Sequence, residues 1–318
     1  MIYKKKLKKL QYLNKMIRSG LQKRENSNNH EEDQYLNLIR DIIKEGSLEC
    51  GRNGNTYVVL GGAMCFSLEN NTLPLLTTKK VAWKTCLKEL LWFIKGQTNN
   101  KILTEQKCNI WKGNASREFL DSRGLQHYEE DDLGPVYGHQ WRFFNAKYGS
   151  CHDDYSGKGV DQLQYIIDCL KDPKQRTSRR LVMSAWNPCQ LNEMALPPCH
   201  VLVQFHVTKK NKLSCSMYQR SGDVGLGVPF NIASYSFLTH LLAKHCGLEA
   251  DQFLYHLGNC HIYDDHVDSL KEQITREPYV FPKIEISKVC ENINDYCLDD
   301  FVVSGYEFHN TIKMKMRV

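Results

Sequence analysis

Cys199 is the residue around which this chain's chemistry can be organised. It follows Pro197-Pro198, a pair that fixes φ twice in succession and removes two backbone donors, so the thiol arrives on a stiff stub with His200 beside it. The β-branched and aromatic run Val201 to Val207 reads as a buried strand. A polar turn, Lys209 to Lys212, leads to a second strand, Leu213 to Tyr218, which runs into the glycine-rich stretch Gln219-Arg-Ser-Gly-Asp-Val-Gly-Leu-Gly-Val-Pro-Phe-Asn231. A thiol on a braced strand end, followed by Arg220-Ser221 in such a stretch, describes a nucleophile beside an anion site. A free thiol of pKa near ~8.5 needs neighbouring positive charge to ionise at neutral pH, and Arg220 is the local candidate. A cysteine hydrolase would need a Cys-His dyad, but adjacent Cys199 and His200 alternate faces on a strand.

Three further groups stand out by type and spacing. Glu89 lies among Leu87, Leu90 and Leu91, and a buried carboxylate is costly unless it is hydrogen-bonded or used. His261 and Tyr263, two apart on a strand, share one face. Arg179 and Arg180 stand at the entrance of a strand expected over 178–187, where twin arginines alone would be surface charge.

The elements that must position these groups follow from hydrophobic spacing. Tyr35, Leu36, Leu38, Ile39, Ile42 and Ile43 predict a helix ended by Gly46, and Leu87 to Ile94 a second closed by Gly96. Between them lie a loop, Gly51-Arg-Asn-Gly-Asn-Thr56, and an extended run, Tyr57 to Leu68. Val160 to Leu170 predicts a helix stopped before Pro173, and after Asn231 the residues Tyr235, Leu238, Leu241, Leu242 and His245 continue a long buried one to Gly247. A strand over 257–263, a helix through Val267, Leu270 and Ile274, and short strands at 283–287 and 301–303 complete the pattern. The segments 122–132 and 147–159 read as surface loops of one domain.

Several long blocks carry a resemblance. Leu196-Pro-Pro-Cys-His200, Tyr218-Gln-Arg-Ser-Gly-Asp223, Leu226-Gly-Val-Pro-Phe-Asn-Ile-Ala-Ser234 and Leu133-Gly-Pro-Val-Tyr-Gly-His-Gln-Trp-Arg142 resemble the signature blocks of the thymidylate synthase family, in the family's order. The resemblance runs from about Gly51 to Val318. It implies an α+β fold, a single domain with a large mixed β-sheet flanked by helices, one sheet face being used for dimerisation. The catalytic domain is then 34–318, behind a basic extension and linker over 1–33.

The same resemblance implies a reaction: reductive methylation of dUMP to dTMP, with 5,10-methylenetetrahydrofolate donating both carbon and hydride and neither metal nor NAD required. Its catalytic residues are Cys199, Glu89, Arg220, Tyr137 and Asn231. Arg52, Arg179, Arg180, His200, Gln219, Arg220, Ser221, Asp223, Asn231, His261 and Tyr263 are expected to bind the nucleotide. Arg179 and Arg180 would do so in the partner of a homodimer. Lys79, Ile110, Trp111, Asn114, Asp223, Leu226, Gly227, Phe230 and Met316 are expected around the folate. Asn231, rather than a carboxylate, favours uracil over cytosine. The Arg52 loop is one residue shorter than is usual in the family, and Lys112 stands where Asp is common. A dUMP hydroxymethylase of the same superfamily would share nearly every block, and a non-enzymatic RNA-binding role could rest on the basic extension.

Composition bounds these readings. Residues 1–24 hold seven Lys and two Arg with no acid, a charge of +9 on an amphipathic helical pattern, so a chain of net +6 carries −3 elsewhere. The basic character belongs to that stretch, which argues against nucleic-acid binding by the whole protein and leaves nuclear or mitochondrial targeting open. Thirteen cysteines without framework spacing point to a reducing compartment, the cytoplasm. Lys79, Lys80, Lys112 and the basic run 312–318 suggest a positive rim for a polyglutamylated folate, although each exposed pair is worth only about 0–1 kcal/mol.

Overall fold

The computed structural model describes residues 30–208 and 210–317. The amphipathic pattern expected over 1–24 therefore lies outside the described residues.

The chain enters through α1 (Asp33–Glu45), whose inward stripe Tyr35, Leu36, Leu38, Ile39 and Ile42 is buried. Glu31 and Glu32, inside the stretch expected to be a linker, are tied to the body. Glu31 accepts from the Ser67 amide, and the fully buried Glu32 accepts from the amides and hydroxyls of Thr77 and Thr78 at 2.6–2.9 Å. Four bonds to one carboxylate offset its desolvation. A hairpin follows, β1 (Ser47–Gly51) and β2 (Gly54–Ser67), closed by the two-residue turn Arg52-Asn53. The shortened loop is thus a tight hairpin turn on an exposed edge.

Next come the helices α2 (Trp83–Ile94), α3 (Asn100–Glu105), α4 (Arg117–Ser122), α5 (Tyr137–Phe143) and α6 (Gln162–Lys171). Gly96 ends the α2 turn at φ +69°, where a Cβ would stand 2.6 Å from the Phe143 ring, so only glycine fits. The strand expected over 178–187 shrinks to β3 (Val182–Ser184). The Val182 amide bonds the Arg180 carbonyl, which makes the Arg179-Arg180 stretch a turn rather than a strand.

The centre of the molecule is β4 (His200–Val207), β5 (Lys212–Asp223), α7 (Gly227–His245) and β6 (Glu249–Tyr263). Strand β5 continues five residues past the expected end at Tyr218, so Gln219 to Asp223 are sheet residues. Helix α7 starts eight residues before Tyr235. Pro229 falls in its first turn, where the missing N–H has no helical partner to lose, so a proline-containing stretch that reads as loop is helix. After α8 (Val267–Gln273), strands β7 (Lys283–Ile286) and β8 (Phe301–Ser304) form a small antiparallel pair.

Among the described residues the main sheet has the order β1-β2-β6-β5-β4-β3, antiparallel except for β5 and β6. Helix α7, buried along nearly its whole length, is the crossover that makes this pair parallel, and it packs on both strands. The opposite face leaves Val182, Leu202 and Tyr218 about 40% exposed. Mixed sheet and flanking helices match the α+β architecture expected. No described helix is long and apolar enough to cross a membrane.

Candidate active site

Cys199 immediately precedes β4 and is held through its backbone. Its amide donates to the Tyr137 hydroxyl at 2.7 Å, and its carbonyl accepts from the Arg220 amide at 2.9 Å. The Arg220 side chain, reaching from β5, donates through Nε to the Pro198 carbonyl (2.8 Å) and through Nη2 to the Pro197 carbonyl (2.9 Å). Its guanidinium lies 5.5 Å from the Trp186 ring centre. Two prolines supply carbonyls but no competing N–H, so the stiff stub serves as a receptor for the guanidinium. Burial pushes the Cys199 thiol up, and Arg220 opposes that shift without cancelling it.

Beside the thiol is a polar chain built from β4, β5, β6 and the second turn of α7. Asn231 Nδ2 lies 2.7 Å from His200 Nε2. The Tyr255 hydroxyl stands 3.4 Å from Asn231 Oδ1 and 2.6 Å from Gln219 Oε1, and Gln219 Nε2 donates to the Ser221 carbonyl at 2.8 Å. Burial holds His200 down at about 4, so it is neutral at physiological pH. Its Nε2 accepts from the amide, which places the proton on Nδ1, an atom without a hydrogen-bond partner among the described residues. The Tyr255 hydroxyl has one proton and gives it to the nearer Gln219 Oε1, so His200 is the neighbour that holds the Asn231 amide.

A second wall runs along α2 and the segment after α3. Glu89 is buried and accepts from Trp111 Nε1 at 2.8 Å. Burial raises its carboxyl to about 7, against the lowering effect of that bond. Trp111 meets Tyr137 edge-on at 5.9 Å, Phe93 stacks on Tyr137 at 4.8 Å, and Tyr137 lies 5.1 Å from His200. Aromatic contacts therefore connect the carboxyl side to the thiol side. Ile110 packs partly buried against the core and Asn114 is half-buried, as are Leu226, Gly227 and Phe230 at the start of α7. Asp223 Oδ1 accepts from the Gly225 and Leu226 amides at 2.9 and 3.3 Å, which closes the turn from β5 into α7.

At the β2 side, His261 is in register with Asp223 on β5 and Val58 on β2, and Tyr263 with Thr56. The two rings are 5.5 Å apart, and His261 Nδ1 lies 2.9 Å from Asn259 Oδ1. Ser221 is half-buried on β5, opposite Asn259. Arg52 is exposed, its guanidinium 5.8 Å from the Phe119 ring centre.

The family model described as thymidylate synthase matches residues 33–318. The chain belongs to the thymidylate synthase family. It is 49% identical over 300 residues to the thymidylate synthase of Saccharomyces cerevisiae, covering 91% of this chain and 98% of that protein. It is also 52% identical to the bifunctional dihydrofolate reductase-thymidylate synthases of Paramecium tetraurelia and Zea mays, again over 91% of this chain but over 62% and 55% of theirs. The chain thus spans a little over half the length of these bifunctional relatives.

Within this thymidylate synthase fold, not every expected residue is in the cluster. Arg179 and Arg180 are exposed at the β3 edge, opposite the β1–β2 edge that carries Arg52, so one chain does not bring the three together. Lys79 is not on a rim: it is 6% exposed and donates to the Gly225 carbonyl, within electrostatic reach of Asp223 and Glu32. Burial lowers its ammonium to about 8, with those two carboxylates opposing the shift. Met316 is half-exposed, and the neighbouring Met314 reaches toward Gly225. Arg317, placed by its sequence in a basic rim, is ion-paired instead with Asp265. Tyr255 is a network member that sequence reading did not single out. Its signal was alternation with Phe253 and Leu257 on the buried side of β6, where a tyrosine hydroxyl needs a partner.

Proposed function

We propose that the chain is a thymidylate synthase, converting dUMP to dTMP with 5,10-methylenetetrahydrofolate as carbon and hydride donor. The observation that carries this reading is the convergence of Cys199, braced by Tyr137 and Arg220, on the His200–Asn231–Tyr255–Gln219 chain. Uracil C5 is a poor nucleophile while the ring is aromatic. Addition of the Cys199 thiolate to C6 breaks the aromaticity and gives C5 enolate character, so that it can attack the one-carbon unit. Asn231 presents one amide to the N3–H and O4 edge of the base, while the neutral His200 fixes its orientation. Glu89, with a carboxyl near 7, suits proton relay at the pyrimidine. Arg220, Ser221 and Arg52 take the phosphate, and His261 and Tyr263 the deoxyribose hydroxyl. Trp111, Asn114, Ile110, Leu226, Gly227, Phe230, Asp223 and Met316 surround the folate.

The working unit in this reading is a homodimer. What supports it is the apolar exposure of Val182, Leu202 and Tyr218 on the sheet face away from α7, and the position of Arg179 and Arg180, which only a second chain could use at the phosphate. Exposed Lys80, Lys112, Lys313 and Lys315 remain the basis for favouring a polyglutamylated folate, without Lys79. Thirteen cysteines in free form fit a cytoplasmic setting. Tritium release from 5-tritiated dUMP, with chromatographic identification of the product, tests the activity. Methylated product supports it, hydroxymethylated product makes the chain a hydroxymethylase, and no release refutes both.

A further inference from the structure

Residues 312–317 cross the side of the molecule that carries Tyr263 and the Arg52 turn, and Arg317 supplies the ion pair that ties them there. Arg317 Nη2 lies 2.7 Å from Asp265 Oδ2 and 3.8 Å from Asp264 Oδ1. Its guanidinium centre is 5.9 Å from the Tyr263 ring centre. Its Nη1 stands 3.8 Å from where a Cβ on Gly54 would be, against the hairpin turn that holds Arg52. Asp264 is itself shared, since its Oδ2 accepts from Asn55 at 3.3 Å on the β2 side of the same turn. Two backbone contacts seat the preceding residues: His266 Nε2 lies 2.8 Å from the Lys315 carbonyl, and Ser269 Oγ 3.4 Å from that of Lys313.

We infer that Arg317 is a positioning residue: by bridging Asp264 and Asp265 beside Tyr263, it locks segment 312–317 onto the Arg52 turn and so sets Arg52 and Tyr263 for the nucleotide. This deepens the function proposed above and rests on it. The turn needs such a fixture because β1 is exposed along its whole length and Arg52 has no carboxylate partner among the described residues. Apart from its own ladder, the turn has the Asn55–Asp264 bond and the Arg52–Phe119 ring contact, and Arg317 adds a charged tie through the same Asp264. Arg317 supplies a planar, permanently charged group that can face two carboxylates and a ring together, which lysine does less well.

The test compares wild type with Arg317→Ala, Arg317→Lys, Asp264→Asn/Asp265→Asn and the combined triple variant. Arg317→Ala is expected to raise KM for dUMP about three- to tenfold, the scale of a partly exposed ion pair plus a cation–ring contact, with kcat changed less than about twofold. Arg317→Lys should recover part of the loss. The Asp variants should reproduce the ion-pair part of the Arg317→Ala loss, and the triple variant should be no worse than Arg317→Ala, because the single changes share that ion pair. Amide hydrogen exchange over 312–317 should quicken in Arg317→Ala and in the Asp pair alike, a readout that needs no activity. Faster exchange with unchanged KM overturns the positioning role, and unchanged exchange overturns the lock itself. Absence of dUMP binding by wild type counts against the proposed function, while exchange still decides whether the lock exists.

Discussion

Two opposed effects meet at the Cys199 sulfur: burial, which disfavours the thiolate, and the Arg220 guanidinium, which favours it. Removing the guanidinium leaves burial alone. Arg220→Gln is therefore expected to raise the thiol pKa further and to slow alkylation of Cys199 by iodoacetamide at pH 8, read peptide by peptide because twelve other cysteines are present. Equal alkylation rates would show that Arg220 serves only the Pro197 and Pro198 carbonyls. Cys199→Ala should abolish tritium release yet keep dUMP affinity within about threefold, since phosphate and base contacts do not depend on sulfur. Calorimetry alongside the release assay checks both halves. Asn231→Asp should move nucleotide preference from dUMP toward dCMP, measured by competitive binding, because a carboxyl can face a 4-amino edge. Unchanged relative affinities would assign base reading elsewhere. At this scale the blocks around Cys199, Glu89 and Asn231 were legible because residue types with few structural uses stood together. Tyr255 was not, since a buried tyrosine in a strand looks like core until its hydroxyl partners are known.

At the scale of elements, α2 carries an ionisable group on its buried face and must bear the consequence. The Glu89 carboxyl is raised to about 7 from an ordinary 4.5, so the folded state keeps a proton that the unfolded chain gives up. The stability this neutral carboxyl contributes is fully present below pH 4.5 and is lost as the pH rises through 7. Glu89→Gln can retain the bond from Trp111 and has no proton to lose. It is expected to match wild type in stability near pH 4.5 and to exceed it above pH 7 by at most about 3 kcal/mol, while turnover falls. Urea denaturation at both pH values measures the difference, and a gap that does not grow with pH would place the carboxyl's cost elsewhere. The element boundaries show what local pattern cannot carry. Helix α7 begins at Gly227 because proline is harmless in a first turn, a fact that helps only once the turn is located. Strand β5 continues through Arg220-Ser-Gly because β6 pairs with it there in parallel, and no short-range signal reports that partner. Arg179-Arg180 leaves the strand because one local hydrogen bond turns the backbone.

For the whole molecule, the exposed sheet face and the stranded arginine pair make a joint prediction about assembly. An Arg179→Ala chain and a Cys199→Ala chain, each inactive alone, should regain activity when mixed, because one site of the heterodimer then has both a thiol and an intact partner arginine. Failure of mixed dimers, once demonstrated by native mass spectrometry, to turn over substrate would confine the pair to its own subunit. The overall architecture could be read from the family resemblance, but which sheet face stays open depends on where α7 lands. The strand order carries one more consequence, and it concerns the making of the protein. Strand β2 is paired on its inner side with β6, about two hundred residues later in the chain. A ribosome adding about 5–20 residues per second needs roughly ten to forty seconds to deliver that partner. For that interval the inner edge of β2 has no strand to pair with. A transcript cut short before Glu249 would release a chain that lacks β6, the strand joining β2 to β5, an invitation to aggregation rather than to partial activity.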